Sequence, residues 1–350
     1  MTAVLVPDAS RLDSATSMPL RYDKRLMLFS GRANPALAQA ISTRLGVGLG
    51  PVTLKTFSND EVYCRFEESI RGADVFLVQP MCGNPDTGIN ANDALMELLV
   101  MVDAAKGASA HRVIAVTPWY GYSRQDKKSA PREPISARLV ARMLESAGVD
   151  RVLTMDLHAG QLQGFFQVPV DHMTALMMLS QYFRDLKLGS ADEVGELVVV
   201  APDAGRVKLN KSFADRIGAD LAILDKERPQ QQVAEIGHVI GDVHGKTAII
   251  VDDIIDTAGT LRAAGEAVRR AGASRIFAAA THAVFSGRCY QNLADSPFEQ
   301  IVVTDTIPLR PGAPDNVRVV SCADLLTDSI RRIFTDDSVS EVFGGKNHVF

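Results

Sequence analysis

The sequence predicts an α/β protein made of a tandem pair of similar domains, each a mostly parallel sheet flanked by helices. Three observations carry this. Short β-branched, apolar runs alternate with stretches whose apolar residues recur at helical spacing, the pattern of a parallel sheet covered on both faces. At 350 residues the chain exceeds one ordinary core. Its halves also echo each other. GADVFLV (72–78) with AAKGASAHRVIAV (104–116) matches GKTAIIV (245–251) with RAGASRIFAA (270–279), and the strand–helix unit ending Arg44-Leu45-Gly46 matches one ending Arg216-Ile217-Gly218.

Composition narrows the function classes. With 46% apolar and 23% charged residues the chain reads as globular, and its net charge of −5 argues against nucleic-acid binding through a basic face. Small anions remain open as ligands. Cys64, Cys82, Cys289 and Cys322 show neither C-x-x-C nor zinc spacing, so reduced thiols and a cytoplasmic location are expected. No run approaches the length of a membrane span, and the first residues lack the order of an export signal.

In chain order, residues 1–23 mix Ser, Thr, Asp and Pro without periodicity and read as a poorly ordered tail. The first domain, 24–170, opens with a strand at 26–29, and Asn34 caps a helix over Pro35–Leu45 that ends at Gly46. The glycine-rich run 46–50 follows a helix and lacks dinucleotide spacing, so it is set aside. Phe57-Ser58-Asn59-Asp60-Glu61 is a turn before an alternating strand, either a packed loop or an aromatic with acceptors for an adenine ring. Strand 74–79, a turn-rich loop, helix 92–106 and strand 112–117 follow.

That last strand runs into PWYGYSRQDKK (118–128). Aromatic residues ahead of Arg124, Gln125, Lys127 and Lys128 suit a base followed by its phosphates, and a solvated basic loop is the alternative. Helix 136–146 leads to strand 151–155, which ends in Asp156-Leu157-His158. These two side chains suit a metal or a metal-bound phosphate, or else are an exposed acid and a packed imidazole. A linker is expected near 169–174.

In the second domain, 171–350, strand 197–200 ends in Pro202-Asp203-Ala204-Gly205 with Arg206 and Lys208 behind it, a further acid suited to Mg²⁺. After strand 220–224, Asp225-Lys226-Glu227-Arg228-Pro229 and three glutamines read as a mobile loop, solvated or able to close two cations over a transferring phosphoryl group. Gly241 to Thr247 is one residue short of a P-loop and precedes a strand, so that reading is rejected.

The richest stretch is TAIIVDDIIDTAGTL (247–261). A buried strand delivers Asp252, Asp253 and Asp256 where it must stop, and Thr257-Ala258-Gly259-Thr260 opens a helix over 261–271. Backbone N–H groups and the helix dipole favour an anion there, while the acids suit Mg²⁺ or sugar hydroxyls. Helix capping alone accounts for such acids less well, because three of them share nine residues with T-x-G-T.

Taken together, FSNDE (57–61), SRQDKK (123–128), TMDLHAGQLQGFF (154–166), PDAG (202–205), KER (226–228) and VDDIIDTAGT (251–260) resemble the ribose-phosphate pyrophosphokinases over most of 24–343. The last motif alone implies only a type I phosphoribosyltransferase-like fold. The resemblance implies transfer of the pyrophosphoryl group of Mg·ATP to the anomeric hydroxyl of ribose 5-phosphate, giving phosphoribosyl pyrophosphate and AMP. It implies Mg²⁺ at His158 and Asp203, and ATP at Arg124, Gln125, Asp156 and His158. Phe57, Asn59 and Glu61 would reach the ATP of a neighbouring subunit in a homohexamer. Lys226 and Arg228 would act in catalysis, and Asp252, Asp253, Asp256, Thr257, Ala258, Gly259 and Thr260 would hold ribose 5-phosphate. A regulatory anion site maps onto Ser69, Arg71, Gln163, Asp171, Ser338 and Ser340, with Pro131 and His172 replacing polar residues often found there. Arg206 stands where the family commonly has glycine.

Overall fold

The computed structural model describes residues 24–188, 197–230 and 233–343, and of residues 226–237 the backbone alone. The expected tail, 1–23, lies outside the described residues. The first half runs β1 (Leu26–Ser30), α1 (Pro35–Leu45), β2 (Val52–Thr56), β3 (Val62–Phe66), β4 (Asp74–Val78), α2 (Ala91–Gly107), β5 (Arg112–Val116), α3 (Ser136–Ala147), β6 (Arg151–Met155) and β7 (Val170–Met173). Helix α4 (Leu176–Asp185) leads into β8 (Leu197–Ala201), α5 (Val207–Ile217), β9 (Asp220–Gln230), β10 (Val233–Ile240), β11 (Thr247–Ile255), α6 (Gly259–Arg270), β12 (Arg275–Ala283), α7 (Cys289–Ala294), β13 (Gln300–Thr304), β14 (Val317–Val320) and α8 (Ala323–Thr335).

The internal repeat is visible in the strand order. One sheet runs β1-β4-β5-β6-β7 and is parallel throughout. The other contains β8-β11-β12-β13-β14, the same order in parallel, extended beyond β8 by β9 and its antiparallel partner β10. In the first half the corresponding hairpin, β2–β3, stands apart as its own two-stranded sheet. Strand β4 is buried along its whole length, as a parallel strand covered on both faces must be. The matched helices α1 and α5 both end on a left-handed glycine, Gly46 and Gly218, each with φ of 70°.

Three expectations change. The stretch 169–174 supplies β7 where a linker was expected, because Val170 to Met173 pair with Val152 to Met155. Strand β11 does not stop at Asp252: its pairing with β12 continues to Ile255 opposite Ala283, and the helix begins at Gly259. The 225–229 segment is β9 backbone, with Lys226 opposite Ile236 on β10, where a loop was expected. Side chains of Lys226 and Arg228 lie outside the described residues.

A single apolar cluster joins the halves. It passes from Leu28, Phe76 and Leu153 through Phe183 of α4 and Phe213 of α5 to Phe277 and Val302. The Phe183 ring meets those of Phe213 and Phe277 edge-on at 6.0 and 6.1 Å. This packing turns the carboxyl ends of the two sheets toward each other. Asn34, just beyond β1, bonds the Asp305 carbonyl beyond β13 at 2.8 Å.

Candidate active site

The floor of the site is the start of α6. Ala258 sits at φ +60°, a left-handed conformation that costs about 1 kcal/mol for a residue with a Cβ. Asn292 holds it there by donating to the Thr257 carbonyl at 2.8 Å. No side chain caps the helix, so the first N–H groups of α6 face the cleft with the positive end of its dipole. Thr257, Gly259 and Thr260 are exposed around them. A Cβ built on Gly259 would meet nothing closer than the Thr257 hydroxyl at 3.9 Å, so the space above it is open.

The walls come from both sheets. A cleft of about 230 Å³ is lined by Asp203, Arg206, Asp252, Asp253, Asp256, Thr257, Ala258 and Thr260 from the second half and by Arg124 and His158 from the first. Arg124 crosses it to pair with Asp256 at 2.6 Å. Along β11 the acids divide: Asp252 and Asp256 are partly exposed, while the Asp253 side chain is only 6% exposed. Asp253 accepts from His158 Nδ1 at 2.8 Å and from Arg206 Nη2 at 2.5 Å. Nη2 also donates to the His158 carbonyl at 3.2 Å and lies 3.0 Å from His158 Nδ1. An ionised Asp253 can only accept, so the His158 Nδ1 that faces it at 2.8 Å is the nitrogen that donates, and in the neutral ring Nε2 keeps its lone pair.

Burial pushes the Asp253 carboxyl up, but the His158 hydrogen bond and the Arg206 charge outweigh it and hold Asp253 well below the usual carboxylate range. Burial and the adjacent Asp253 charge push Asp252 the other way, well above that range. Asp156 sits beneath the cleft at φ +32°. Its Oδ2 accepts from the Ala175 N–H at 2.8 Å and the Thr281 hydroxyl at 2.6 Å, so this carboxylate braces the turn that carries His158.

Beside the cleft, Trp119, Tyr122, Arg124 and Gln125 line a groove that continues from Arg124 and Asp256. Gln125 is tied to the start of α3, accepting from the Ser136 hydroxyl at 2.7 Å. Phe57, Asn59 and Glu61 lie on the β2–β3 hairpin, outside the walls of this cleft. The Phe57 ring is 42% exposed and meets Tyr63 edge-on, with the Lys55 ammonium 5.0 Å from its centre.

The regulatory candidates each have local partners. Arg25 bonds the carbonyls of Ser69 and Arg71 at 3.2 and 3.1 Å, and Ser338 bonds Ser340 at 2.8 Å. Gln163 lies against His172 Nδ1 at 3.1 Å, and Asp171 pairs with Arg151 at 2.8 Å. His172 Nε2 accepts the Leu157 N–H at 2.8 Å, fixing the backbone between Asp156 and His158.

Sequence reading did not find several residues of the site. Thr281 braces Asp156, Ser286 bonds Asp256, and the fully buried His282 ties the carbonyls of Met155 and Asp156 to Thr306. Their signal is a polar T-H and then an S-G interrupting the apolar run of β12 and its exit, in THAVFSG. Arg206 was visible as a departure, but its bridge to Asp253 was not.

Comparison with known proteins agrees with this geometry. Residues 26–148 match the N-terminal domain of ribose phosphate pyrophosphokinase, and residues 229–344 match a phosphoribosyl synthetase-associated domain. The ribose-phosphate pyrophosphokinase of Gloeobacter violaceus is 47% identical over 333 residues, 94% of this chain and 97% of that protein. That of Caldanaerobacter subterraneus is 48% identical over 324 residues, 92% of this chain and 99% of the relative. The crystal structure of phosphoribosylpyrophosphate synthetase from Mycobacterium smegmatis superposes with a TM-score of 0.81 at 43% identity, covering 89% of this chain and all of that one. Two mostly parallel sheets that share one cleft over an uncapped helix start, in a chain this similar to such enzymes over nearly its full length, place it in the ribose-phosphate pyrophosphokinase family.

Proposed function

We propose that the cleft transfers the β,γ-pyrophosphoryl group of Mg·ATP to the anomeric hydroxyl of ribose 5-phosphate, producing phosphoribosyl pyrophosphate and AMP for nucleotide synthesis. The observation that carries this reading is the meeting of the uncapped α6 N-terminus with partly exposed acids and with His158 of the other half, within one cleft. The 5-phosphate sits on the N–H groups of Gly259 and Thr260 and on the hydroxyls of Thr257 and Thr260. Asp252 and Asp256 take the ribose hydroxyls, and Asp253 acts from below by orienting His158. Trp119, Tyr122, Arg124 and Gln125 support the nucleotide along the adjoining groove.

The donor set fits Mg²⁺. His158 Nδ1 bonds the Asp253 carboxylate, the partner that a metal-ligating histidine uses to orient its ring, and Asp203 lines the same cleft. Among the described residues no group of three acidic, His or Cys side chains is placed to hold a metal by itself. An Mg²⁺ held there would supply positive charge opposite the transferring group. The chain's own part is positioning: it aligns the anomeric hydroxyl with the β-phosphorus and excludes water. Lys226 and Arg228 on β9 are the cations assigned to the charge that develops in transfer.

Phe57, Asn59 and Glu61 fit an adenine bound by a second copy, so a homo-oligomer, in the hexameric form, belongs to the proposal, as does a cytoplasmic location. Among the described residues no helix is long and apolar enough to cross a membrane. The test is direct. The full chain with ATP, Mg²⁺ and ribose 5-phosphate is expected to release AMP and form a product whose ³¹P spectrum shows a pyrophosphate on C1. Binding of both substrates without AMP would instead indicate a non-catalytic companion subunit.

A further inference from the structure

Arg206 lies where a positive charge is needed and does so from a fixed position. It ends the short 3₁₀ turn Ala204–Arg206 that follows Asp203, and its side chain is 19% exposed. Its Nη2 donates to Asp253 at 2.5 Å and to the His158 carbonyl at 3.2 Å, while Nε stands 3.6 Å from Asp252. The guanidinium therefore touches both adjacent carboxylates of β11. It also forms part of the wall between the open cleft and a smaller inner cavity of about 80 Å³ that Asp156, His172 and Thr281 line. Two carboxylates side by side beneath a phosphate site repel each other and attract a cation. Arginine supplies one that is permanently charged and cannot leave.

We propose that the Arg206 guanidinium is a built-in cation that occupies the place where the Asp252–Asp253 pair would otherwise hold a divalent ion. The chain then takes its metal through His158, Asp203 and the substrate phosphates alone. This rests on the reading of the cleft as a Mg·ATP and sugar-phosphate site, but its test does not depend on turnover. Arg206 is thus a positioning residue, acting through Asp253 and His158.

The experiment counts bound Mn²⁺ by electron paramagnetic resonance on the full chain, with no nucleotide or sugar present. Arg206→Gly and Arg206→Gln, each checked for native circular dichroism, are expected to bind one more Mn²⁺ per chain than the parent, at least tenfold more tightly than any Mn²⁺ the parent holds. Arg206→Lys restores the charge and is expected to return the count to the parental value, which a purely structural role would not produce. Equal isotherms for parent and the two neutral variants overturn the proposal. If those variants fail to fold, parent crystals soaked in Mn²⁺ decide: an anomalous peak within coordination distance of Asp253 overturns it, and no peak there supports it. Failure of the AMP assay with the expected Mn²⁺ counts would sink the proposed reaction and leave the role of Arg206 standing.

Discussion

The β4-to-α2 and β11-to-α6 junctions hold equivalent places in the two sheets and have opposite contents. After β4 comes Gln79, fully buried, whose Oε1 accepts the Ala33 N–H at 2.9 Å and whose Nε2 donates to Glu97 at 2.9 Å. Glu97, equally buried, also accepts the Arg32 N–H at 2.7 Å and pairs with the Arg32 guanidinium. Asn90 and Asp93 close the start of α2 with a reciprocal capping box. The buried Gln79 and Glu97 side chains and the helix start all find partners within the chain itself. After β11, no side chain caps α6 and the turn residues are open to solvent. The repeat thus keeps one topology and separates its uses: the chain itself fills the closed junction, while β6, two strands from β4 in the same sheet, carries His158 to the open one.

Filling the open junction gives the largest effect. Gly259 has room for a Cβ, so Gly259→Val is expected to fold, but its branches would stand where a phosphate meets the first N–H groups of α6. Losing several charge-assisted bonds, each worth ~1.5–3 kcal/mol, weakens ribose 5-phosphate binding at least 10³-fold. Calorimetry should show ATP affinity within a few-fold of the parent. Equal loss of both substrates would point to misfolding and erase the distinction between the junctions.

Opening the closed junction should act on stability alone. Glu97→Ala leaves Arg32 and Gln79 without their shared acceptor in the interior, a change that costs ~3 kcal/mol. Urea melts should show that loss, while KM for both substrates stays near the parental value. A new affinity for phosphate in this variant would mean that the two junctions differ only in what plugs them.

These junctions also show what could be read from sequence. Elements defined by local pattern were legible: β6 falls on the expected 151–155, and Asn34 caps α1 by accepting from Leu37 N–H at 3.2 Å. Elements defined by a distant partner were not. Val170–Met173 reads as a linker until β6 lies beside it, and 225–229 reads as a loop until β10 does. In the site, the acids and the T-x-G-T turn announced themselves because strand, turn and helix are contiguous. The links from Arg206 and His158 to Asp253, and from Thr281 to Asp156, span 47 to 125 positions, and no local pattern encodes them.

A smaller effect sharpens how the halves are joined. Burial, against the pull of Asp156, holds His172 near a pKa of about 4, below its ordinary value of 6.5. The folded chain therefore binds this proton less readily than the unfolded one. Its stabilising contribution is complete above pH 6.5 and is lost as pH falls toward 4, on the order of 3 kcal/mol. His172→Asn should flatten the fall of Tm between those values. A curve parallel to the parent's would assign the acid sensitivity to another group, with His282, also lowered by burial, the first to test.

The last prediction asks whether the hairpins continue the contrast between the halves. In the second half the hairpin β9–β10 extends the sheet beside the open junction, whereas β2–β3 stands apart and carries Phe57 outward. In its own half the junction after β4, the counterpart of the α6 start, is closed by Gln79 and Glu97 and offers this aromatic no phosphate. Lys55 lies 5.0 Å from the centre of the Phe57 ring and 4.9 Å from that of Tyr63, which steadies the ring without covering it. If it stacks on the adenine bound by a second copy, Phe57→Ala weakens ATP binding by about 1–2 kcal/mol, the size of a stacking contact with its buried area. Ribose 5-phosphate binding stays unchanged. Mixing gives the sharper reading: Phe57→Ala/Glu61→Ala chains and Lys226→Ala/Arg228→Ala chains, each inactive alone, should regain part of the activity once they exchange subunits. A mixed interface then holds one site with both parts intact. Mixed oligomers seen by native mass spectrometry with no activity at any ratio would show that each site is complete within one chain.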